Sequence, residues 1–491
     1  MRALPAAVAL LALLPYLPSA ARGEFLNWDD PYLVHPGLLE QKVTRLLDPR
    51  GDPREPEGRK RAAFGSEYLP LRDLSYRLDA RIHGLEPPSA RGFRATNLLL
   101  YALACGLCAR LLLELARLAG WSLPTAGFAA LLFAWHPAHA ESAAWIAGRK
   151  DVLSGALAFA ALLAWLRARE PDHPHAARWQ VATCALAAAA CLSKSTAVAL
   201  PFLALSIELL DPRDRFVRPP LRRLLDLLPL LVTCALLALL AMWVGGRTGV
   251  RQPPRPLSIV LLADLVVLRR YLVTALFPLE LRIDHGDLVQ AVRLRADALV
   301  WPSWLLIQAL VSLAALAPLV VGALRMRASW PRWGLVWALG GLLPVMNLVP
   351  LPHWIADRFL FLPALAAAVL VARLGLSFER VRRGLGVALL ALLLVGWAGL
   401  SLRRGLELAT SESLWEAELE RRPGDPLALH HLGDARLAQA AREPDPERAE
   451  ALRFKGIANL EASLRAYERL LVRHPAEREA RILLRRARES R

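Results

Sequence analysis

Phe25-Leu-Asn-Trp-Asp-Asp-Pro-Tyr-Leu-Val34 is an acidic, aromatic stretch lodged directly behind an apolar N-terminal segment. Two adjacent carboxylates, Asp29 and Asp30, therefore stand a few residues beyond a membrane exit, with long apolar runs still to follow. That placement points to chemistry at a membrane surface, and the rest of the chain becomes a question of how often it crosses. Of its 491 residues 55% are hydrophobic, and the formal net charge is +17. Runs such as 224–244 and 384–402 are nearly free of charge and long enough to cross a hydrocarbon core of roughly 30 Å. The expected fold is all-α and polytopic. The arginines gather in short loops between apolar runs, where the positive-inside bias puts them. No basic stripe carries interleaved aromatics, which argues against a nucleic-acid partner. The five cysteines, Cys105, Cys108, Cys184, Cys191 and Cys234, all lie in apolar segments. They imply neither a disulfide framework nor a zinc site.

The segment 4–20 reads either as a secretory signal, because Ser19-Ala-Ala21 resembles a cleavage site, or as an uncleaved first helix. Taken as a helix, it leads into a long external loop, 21–94, that holds the Asp pair. The middle of this loop, 48–58, is a Pro/Gly/charge run that reads as surface. Tyr68-Leu-Pro-Leu-Arg-Asp-Leu-Ser-Tyr-Arg-Leu78 mixes aromatic, apolar and charged residues as an interfacial helix would. Further spans are expected at 97–115, 123–135, 152–166, 179–192, 197–210, 224–244, 299–324, 333–349, 359–374 and 384–402. The run 257–279 is apolar enough to cross but has Arg269 and Arg270 in its middle, each costing about 2.5–3.5 kcal/mol there. Laying it along the outer surface also keeps the basic loops around Arg325 and Arg380 inside. Eleven spans and an external C-terminus follow.

Beyond Leu402 the chain reads as soluble helix, dividing it into a membrane domain, 1–402, and a helical domain, 403–491. Helices are expected at 412–421, 427–441, 458–473 and 477–488. Leu429, Leu432 and Gly433 fit the first helix of a tetratricopeptide repeat, and Tyr467 followed by Pro475 fits the second. The 52 residues from Pro423 to Pro475 exceed the 34-residue period by about 18, which are expected in the turn. So small a unit has to lean on the membrane part, a protein partner or another copy of itself.

Trp135-His-Pro-Ala-His-Ala-Glu-Ser-Ala-Ala-Trp-Ile-Ala-Gly-Arg-Lys-Asp-Val-Leu-Ser154 resembles a signature of bacterial tetratricopeptide-containing membrane proteins. These are related to the eukaryotic transmembrane and tetratricopeptide-repeat O-mannosyltransferases and to the protein O-mannosyltransferases. Cys191-Leu-Ser-Lys-Ser195, Tyr271-Leu-Val-Thr-Ala-Leu-Phe-Pro278 with Asp284-His285, and Ala356-Asp-Arg-Phe-Leu-Phe-Leu-Pro363 resemble further motifs of that family in the same order. The resemblance implies a fold of glycosyltransferase family C (GT-C), with an acidic residue in the first external loop and an active site on the non-cytoplasmic face. It implies a bacterial inner-membrane protein whose site and C-terminal domain are periplasmic. The implied reaction moves a sugar, mannose in the named relatives, from a polyprenyl-phosphate donor to a protein or glycan hydroxyl.

Asp29 and Asp30 match the acidic position, with Asp29 read as the base and Asp30 as its support, an order that stands open to reversal. A carboxylate within reach takes the proton that the hydroxyl loses as it attacks the anomeric carbon. The plainer role for Asp29 is to cap a helix starting near Pro31. Arg149, Lys150, Lys194 and Arg358 fall at the outer ends of spans and are read as binding the lipid phosphate, with Asp151 orienting its neighbours; singly, each also reads as a snorkelling interfacial cation. His136, His139 and Glu141 flank a bend at Pro137 and are read as hydrogen-bonding to phosphate or sugar. The alternative is that they bind a divalent cation, but they form no full ligand set, so no metal is indicated and no other cofactor is expected.

Two departures from the family pattern stand out. Leu69-Pro-Leu-Arg72 replaces Arg-Pro-Leu-Thr, so a cation is lost or moved by three residues, and Phe359 and Phe361 replace tyrosines. Two other functions compete. One is a non-catalytic scaffold that recruits envelope or export machinery through its helical tail. The other is a transporter, which would normally hold charges at mid-membrane. Here the charges gather at the outer boundaries, except Arg110 and Glu114, which are spaced to pair one turn apart.

Overall fold

The computed structural model describes residues 3–40, 42–49, 67–85, 88–170, 173–210, 220–247, 256–285, 303–326, 328–349, 351 and 353–473. Their regular structure is helical, as expected of an all-α chain. Among the described residues five helices are long and apolar enough to cross a membrane: Ala90–Ala119, Ile146–Ala168, Leu225–Gly245, Trp304–Arg325 and Leu385–Glu407. Each overlaps one of the eleven expected spans. Leu228, Leu231, Leu236 and Leu239 on one of them, and Ile307, Leu310 and Val311 on another, face outward. Lipid tolerates such rows and water does not. The chain is an integral membrane protein.

The remaining expected spans are shorter, and proline explains the first. Helix Leu4–Leu13 stops and Leu17–Arg22 begins anew, because Pro15 and Pro18 have no N–H to continue the ladder. The segment is nonetheless part of the core. Val8, Ala12 and Tyr16 are fully buried, and the Trp135 indole donates to the Leu11 carbonyl at 2.9 Å. Elsewhere helix gives way to one-turn pieces: Ser195–Ala199 before Leu200–Glu208, Leu343–Val345 after Ser329–Leu342, and Asp357–Leu360 before Ala364–Ser377. Irregular backbone within a membrane protein has to be covered by protein or line a cavity. These pieces, with the bend 135–148, supply the candidate site.

Small residues bring the central helices together. Arg149–Ala168 packs on Ala176–Ser193 with Ala158, Ala161, Ala187 and Ala190 buried, the close approach that alanine permits. The helix Leu257–Leu276 is tied to segments that join other helices. Asp264 accepts from Asn347 at 3.0 Å, the Tyr271 hydroxyl accepts from the Ala356 N–H at 3.2 Å, and the Ala275 carbonyl meets His136 at 3.1 Å. Arg269, the costly residue of that run, donates to Ser312 and Gln308 at 3.0 and 2.7 Å. Arg110 and Glu114 do form their ion pair.

The C-terminal unit comprises helices Ser411–Arg421, Pro426–Ala440 and Pro446–Arg473. The last two form a tight hairpin in which Gly433 faces Gly456. A Cβ on Gly433 would lie 2.8 Å from Leu460 and 3.0 Å from the Gly456 carbonyl. The extra residues expected in the turn instead lengthen the second helix to 28 residues, since 446–457 carries no proline after Pro446, and its one glycine, Gly456, sits at the close contact with Gly433. The helix expected at 477–488, Pro475, and the loop from 50 to 66 lie outside the described residues.

Candidate active site

Residues 23–30 are pinned before they reach the Asp pair. The Glu24 N–H donates to the Ala409 carbonyl at 2.9 Å. Arg94, buried at the start of Ala90–Ala119, donates to the carbonyls of Glu24, Ala144, Leu408 and Ala409 at 2.6–3.1 Å. Asp30 is fully buried, and its two carboxylate oxygens accept from the Leu26 N–H at 2.9 Å and the Ala147 N–H at 3.1 Å. It staples the loop to the bend 145–148. Burial pushes its pKa up to about 7, against those two hydrogen bonds.

Asp29 occupies the N-cap position of the one-turn helix Asp30–Leu33, yet its side chain makes no capping bond. The plainer role weighed for it is therefore not taken. Its half-buried carboxylate instead lies within electrostatic reach of Lys150, Arg358, Glu67 and Arg72. Burial raises its pKa, and the three cations oppose the rise.

Lys150 and Asp151 sit on the first turn of Arg149–Ala168. Lys150 donates to Glu67 at 2.8 Å, and Asp151 pairs with Lys194, which sits in extended backbone just after Ser193. Arg358, on the turn Asp357–Leu360, pairs with Glu141. The Phe359 ring meets two of these cations, 5.1 Å from the Lys194 ammonium and 5.5 Å from the Arg358 guanidinium. Asp151, Lys194, Arg358, Phe359 and Phe361 line a narrow cleft. The aromatic walls survive the loss of two phenolic hydroxyls. Gly148 makes the bend possible, since a Cβ there would lie 2.4 Å from the Glu141 carbonyl.

Arg149, read from sequence as a phosphate ligand, is used elsewhere. It is fully buried, donates to Asn97 at 2.6 Å and to the Phe93 carbonyl at 2.7 Å, pairs with Asp79, and lies 4.5 Å from the Tyr76 ring. Adjacent helical residues point about 100° apart, so Lys150 reaches Glu67 and the surroundings of Asp29 while Arg149 faces helix Pro70–His83. His136 spends its ring nitrogens on the Ala275 carbonyl and the Ala138 N–H. His139 packs among Phe133, Phe361 and Tyr101. Both histidines shape the bend and line no part of the cleft.

Glu67 and Arg72 belong to the cluster; Glu67 was missed, and Arg72 was noted only as a departure from the family pattern. Helix Pro70–His83 buries its charged face, Arg72, Asp73 and Asp79, and leaves Leu78 and Ile82 exposed. Arg72 pairs with Asp73 at 2.8 Å and approaches Glu67 at 3.7 Å. Burial alone would raise the Glu67 pKa, but Lys150 and Arg72 hold it down to about 2. The cation at position 72 has thus moved by three residues and still reaches the cluster, a shift the Leu69-Pro-Leu-Arg72 pattern had signalled. Nothing local marked Glu67. Among the described residues no group of three or more His, Cys, Asp or Glu side chains could hold a metal ion.

The chain matches no protein-family model. Over 100 residues it is 37% identical to protein O-mannosyl-transferase TMTC2 of Mus musculus and to its Xenopus laevis counterpart, covering 20% of this chain and 11% of either relative. Over 154 residues it is 30% identical to protein O-mannosyl-transferase Tmtc3 of Drosophila melanogaster, covering 27% of this chain and 16% of that one. Among solved structures, the Archaeoglobus fulgidus oligosaccharyltransferase in its apo form has a TM-score of 0.45 at 14% identity, over 88% of this chain and 59% of that one. ArnT from Cupriavidus metallidurans, bound to undecaprenyl phosphate, has a TM-score of 0.36 at 19% identity, over 85% and 80%. The matched segments are a small fraction of the curated relatives' length, and along them this membrane protein resembles the TMTC protein O-mannosyl-transferases.

Proposed function

We propose that the chain is a membrane glycosyltransferase of the GT-C type, transferring a sugar from a polyprenyl phosphate to a protein or glycan hydroxyl. Asp29 is the general base. The observation that carries this reading is a carboxylate that makes no capping bond beside three cations, Arg72, Lys150 and Arg358, at the end of a bundle whose outer faces suit lipid.

In the proposed step the acceptor hydroxyl loses its proton to Asp29 as its oxygen bonds to the anomeric carbon. The bond from that carbon to the phosphate oxygen breaks, and the polyprenyl phosphate leaves with the electron pair. Attack from the opposite side inverts the centre. Burial makes Asp29 a stronger base than an exposed aspartate. The cations stabilise the charge growing on the leaving phosphate. Mannose is the sugar suggested by the names of the relatives. We place the site and the C-terminal unit on the non-cytoplasmic face, in keeping with basic loops at the other end. The C-terminal unit, read as tetratricopeptide-like, is where an acceptor or protein partner would dock.

The test is transfer from labelled polyprenyl-phosphate sugar in membranes, wild type beside Asp29→Asn. The variant is expected to lose about 10²–10⁴ in rate. Wild-type transfer should also fall as pH drops through the raised pKa of Asp29. Undiminished transfer by the variant removes Asp29 as base, and no transfer by wild type from any donor favours the scaffold.

A further inference from the structure

The C-terminal helical unit reaches the candidate site along two separate chains of hydrogen bonds. On one side, the Asn27 N–H donates to the Ser411 hydroxyl at 3.0 Å, and its amide donates to the His431 carbonyl at 2.8 Å. The Trp415 indole donates back to the Asn27 side chain at 2.7 Å. Trp28 packs edge-on against Trp415 and His431, with centroids 5.3 and 4.9 Å apart. The next residue is Asp29.

On the other side, Glu418 accepts from the Ile283 N–H at 3.2 Å and from Arg404 at 2.9 Å. The segment held this way carries the Arg282 N–H, which donates to Asp357 at 2.8 Å, and His285, whose ring nitrogen meets the other Asp357 oxygen at 2.9 Å. The next residue is Arg358.

We propose that the helical unit is a positioning element of the active site. Trp415 sets the base-bearing residue through Asn27 and Trp28, and Glu418 sets Arg358 through the 282–285 segment and Asp357. This rests on the roles proposed for Asp29 and Arg358. Because the chains end on different parts of the chemistry, breaking them has different kinetic signatures. Misplacing the base acts on turnover, and misplacing a cation that holds the donor acts on donor binding.

The experiment uses the full chain in detergent or membranes, with polyprenyl-phosphate mannose as donor probe and a hydroxyl-bearing peptide as acceptor. Trp415→Phe keeps an aromatic ring, smaller than the indole, and removes the N–H that Asn27 accepts. It is expected to lower kcat about five- to tenfold with donor KM within about twofold. Glu418→Gln is expected to raise donor KM about three- to tenfold with a smaller change in kcat. If Trp415→Phe does not fold, Asn27→Ser breaks the same contact from the other side and is read in the same way. Hydrogen exchange of residues 26–30 is followed in parallel and should quicken in the Trp415 or Asn27 variant alone. Unchanged constants and exchange, or the same kinetic change from both arms, overturn the proposal. Failure of Asp29→Asn to reduce transfer overturns the base assignment instead, and the exchange data still report whether the arm holds the loop.

Discussion

Two layers of charge, one sealed and one slightly more open to solvent, share one end of the bundle, and they are built differently. In the inner layer Arg94, Arg149 and Asp30 are buried and tied largely to main-chain groups, which neither titrate nor move away. In the outer layer Lys150, Lys194, Arg72 and Arg358 are held by carboxylates, Glu67, Asp151, Asp73 and Glu141. A guanidinium committed to carbonyls has no donor left for a ligand. A cation paired with a carboxylate can exchange that partner for a phosphate of the same sign. Adjacent residues fall on opposite sides of this divide twice, at Asp29 and Asp30 and again at Arg149 and Lys150.

The largest expected effect belongs to the outer layer, the loss of transfer in Asp29→Asn described above. Next comes Arg149→Met, which leaves Asp79 buried without its partner, a change that costs about 3–5 kcal/mol. Folded yield and unfolding temperature in detergent should fall accordingly. The milder Arg149→Lys should keep donor KM per folded molecule near wild type, whereas Lys150→Met should raise it. The opposite pattern would reverse the two layers.

The fold was legible where it depended on local physics. Apolar run length marked the five long helices. Arg269, one of the two arginines for which the run 257–279 was laid along the outer surface, finds polar partners on Ser303–Arg325. The break at Pro15 was also written locally and was passed over. The site was legible as a block, because 135–154 holds the bend together with Lys150 and Asp151. The roles inside the block were not, because which face of Arg149–Ala168 meets Pro70–His83 is a tertiary fact. Glu67 reaches Lys150 across 83 residues of sequence, with no periodicity to announce it.

The inner layer can be tested through pH. The pKa of Asp30 in the folded chain, about 7, lies above its ordinary value of 3.8, so folding favours the protonated form. The stability this contributes is complete below the ordinary value and is lost as pH rises towards 7. Asp30→Asn should flatten that slope in thermal unfolding. It also turns an amide NH₂ towards the N–H of Leu26 or Ala147, a mismatch of donors that costs about 1–3 kcal/mol. An unfolding profile with the same slope in both proteins would remove Asp30 as its source.

The smallest expected effect sharpens the outer layer. Glu67 contributes a negative charge where Lys150 and Arg72 converge, and those cations hold its pKa down to about 2, so it stays ionised at neutral pH. A donor phosphate entering the cluster has to share Lys150 with it. Glu67→Gln leaves the size of the side chain unchanged and removes the competition, so donor KM should fall a few-fold, by the amount of one charged hydrogen bond partly exposed to solvent. The gain should shrink with added salt, since Glu67 is partly open to water. A raised KM would mean instead that Glu67 holds Lys150 in place for the donor, and the carboxylates of the outer layer would then be supports for the cations like the carbonyls of the inner layer.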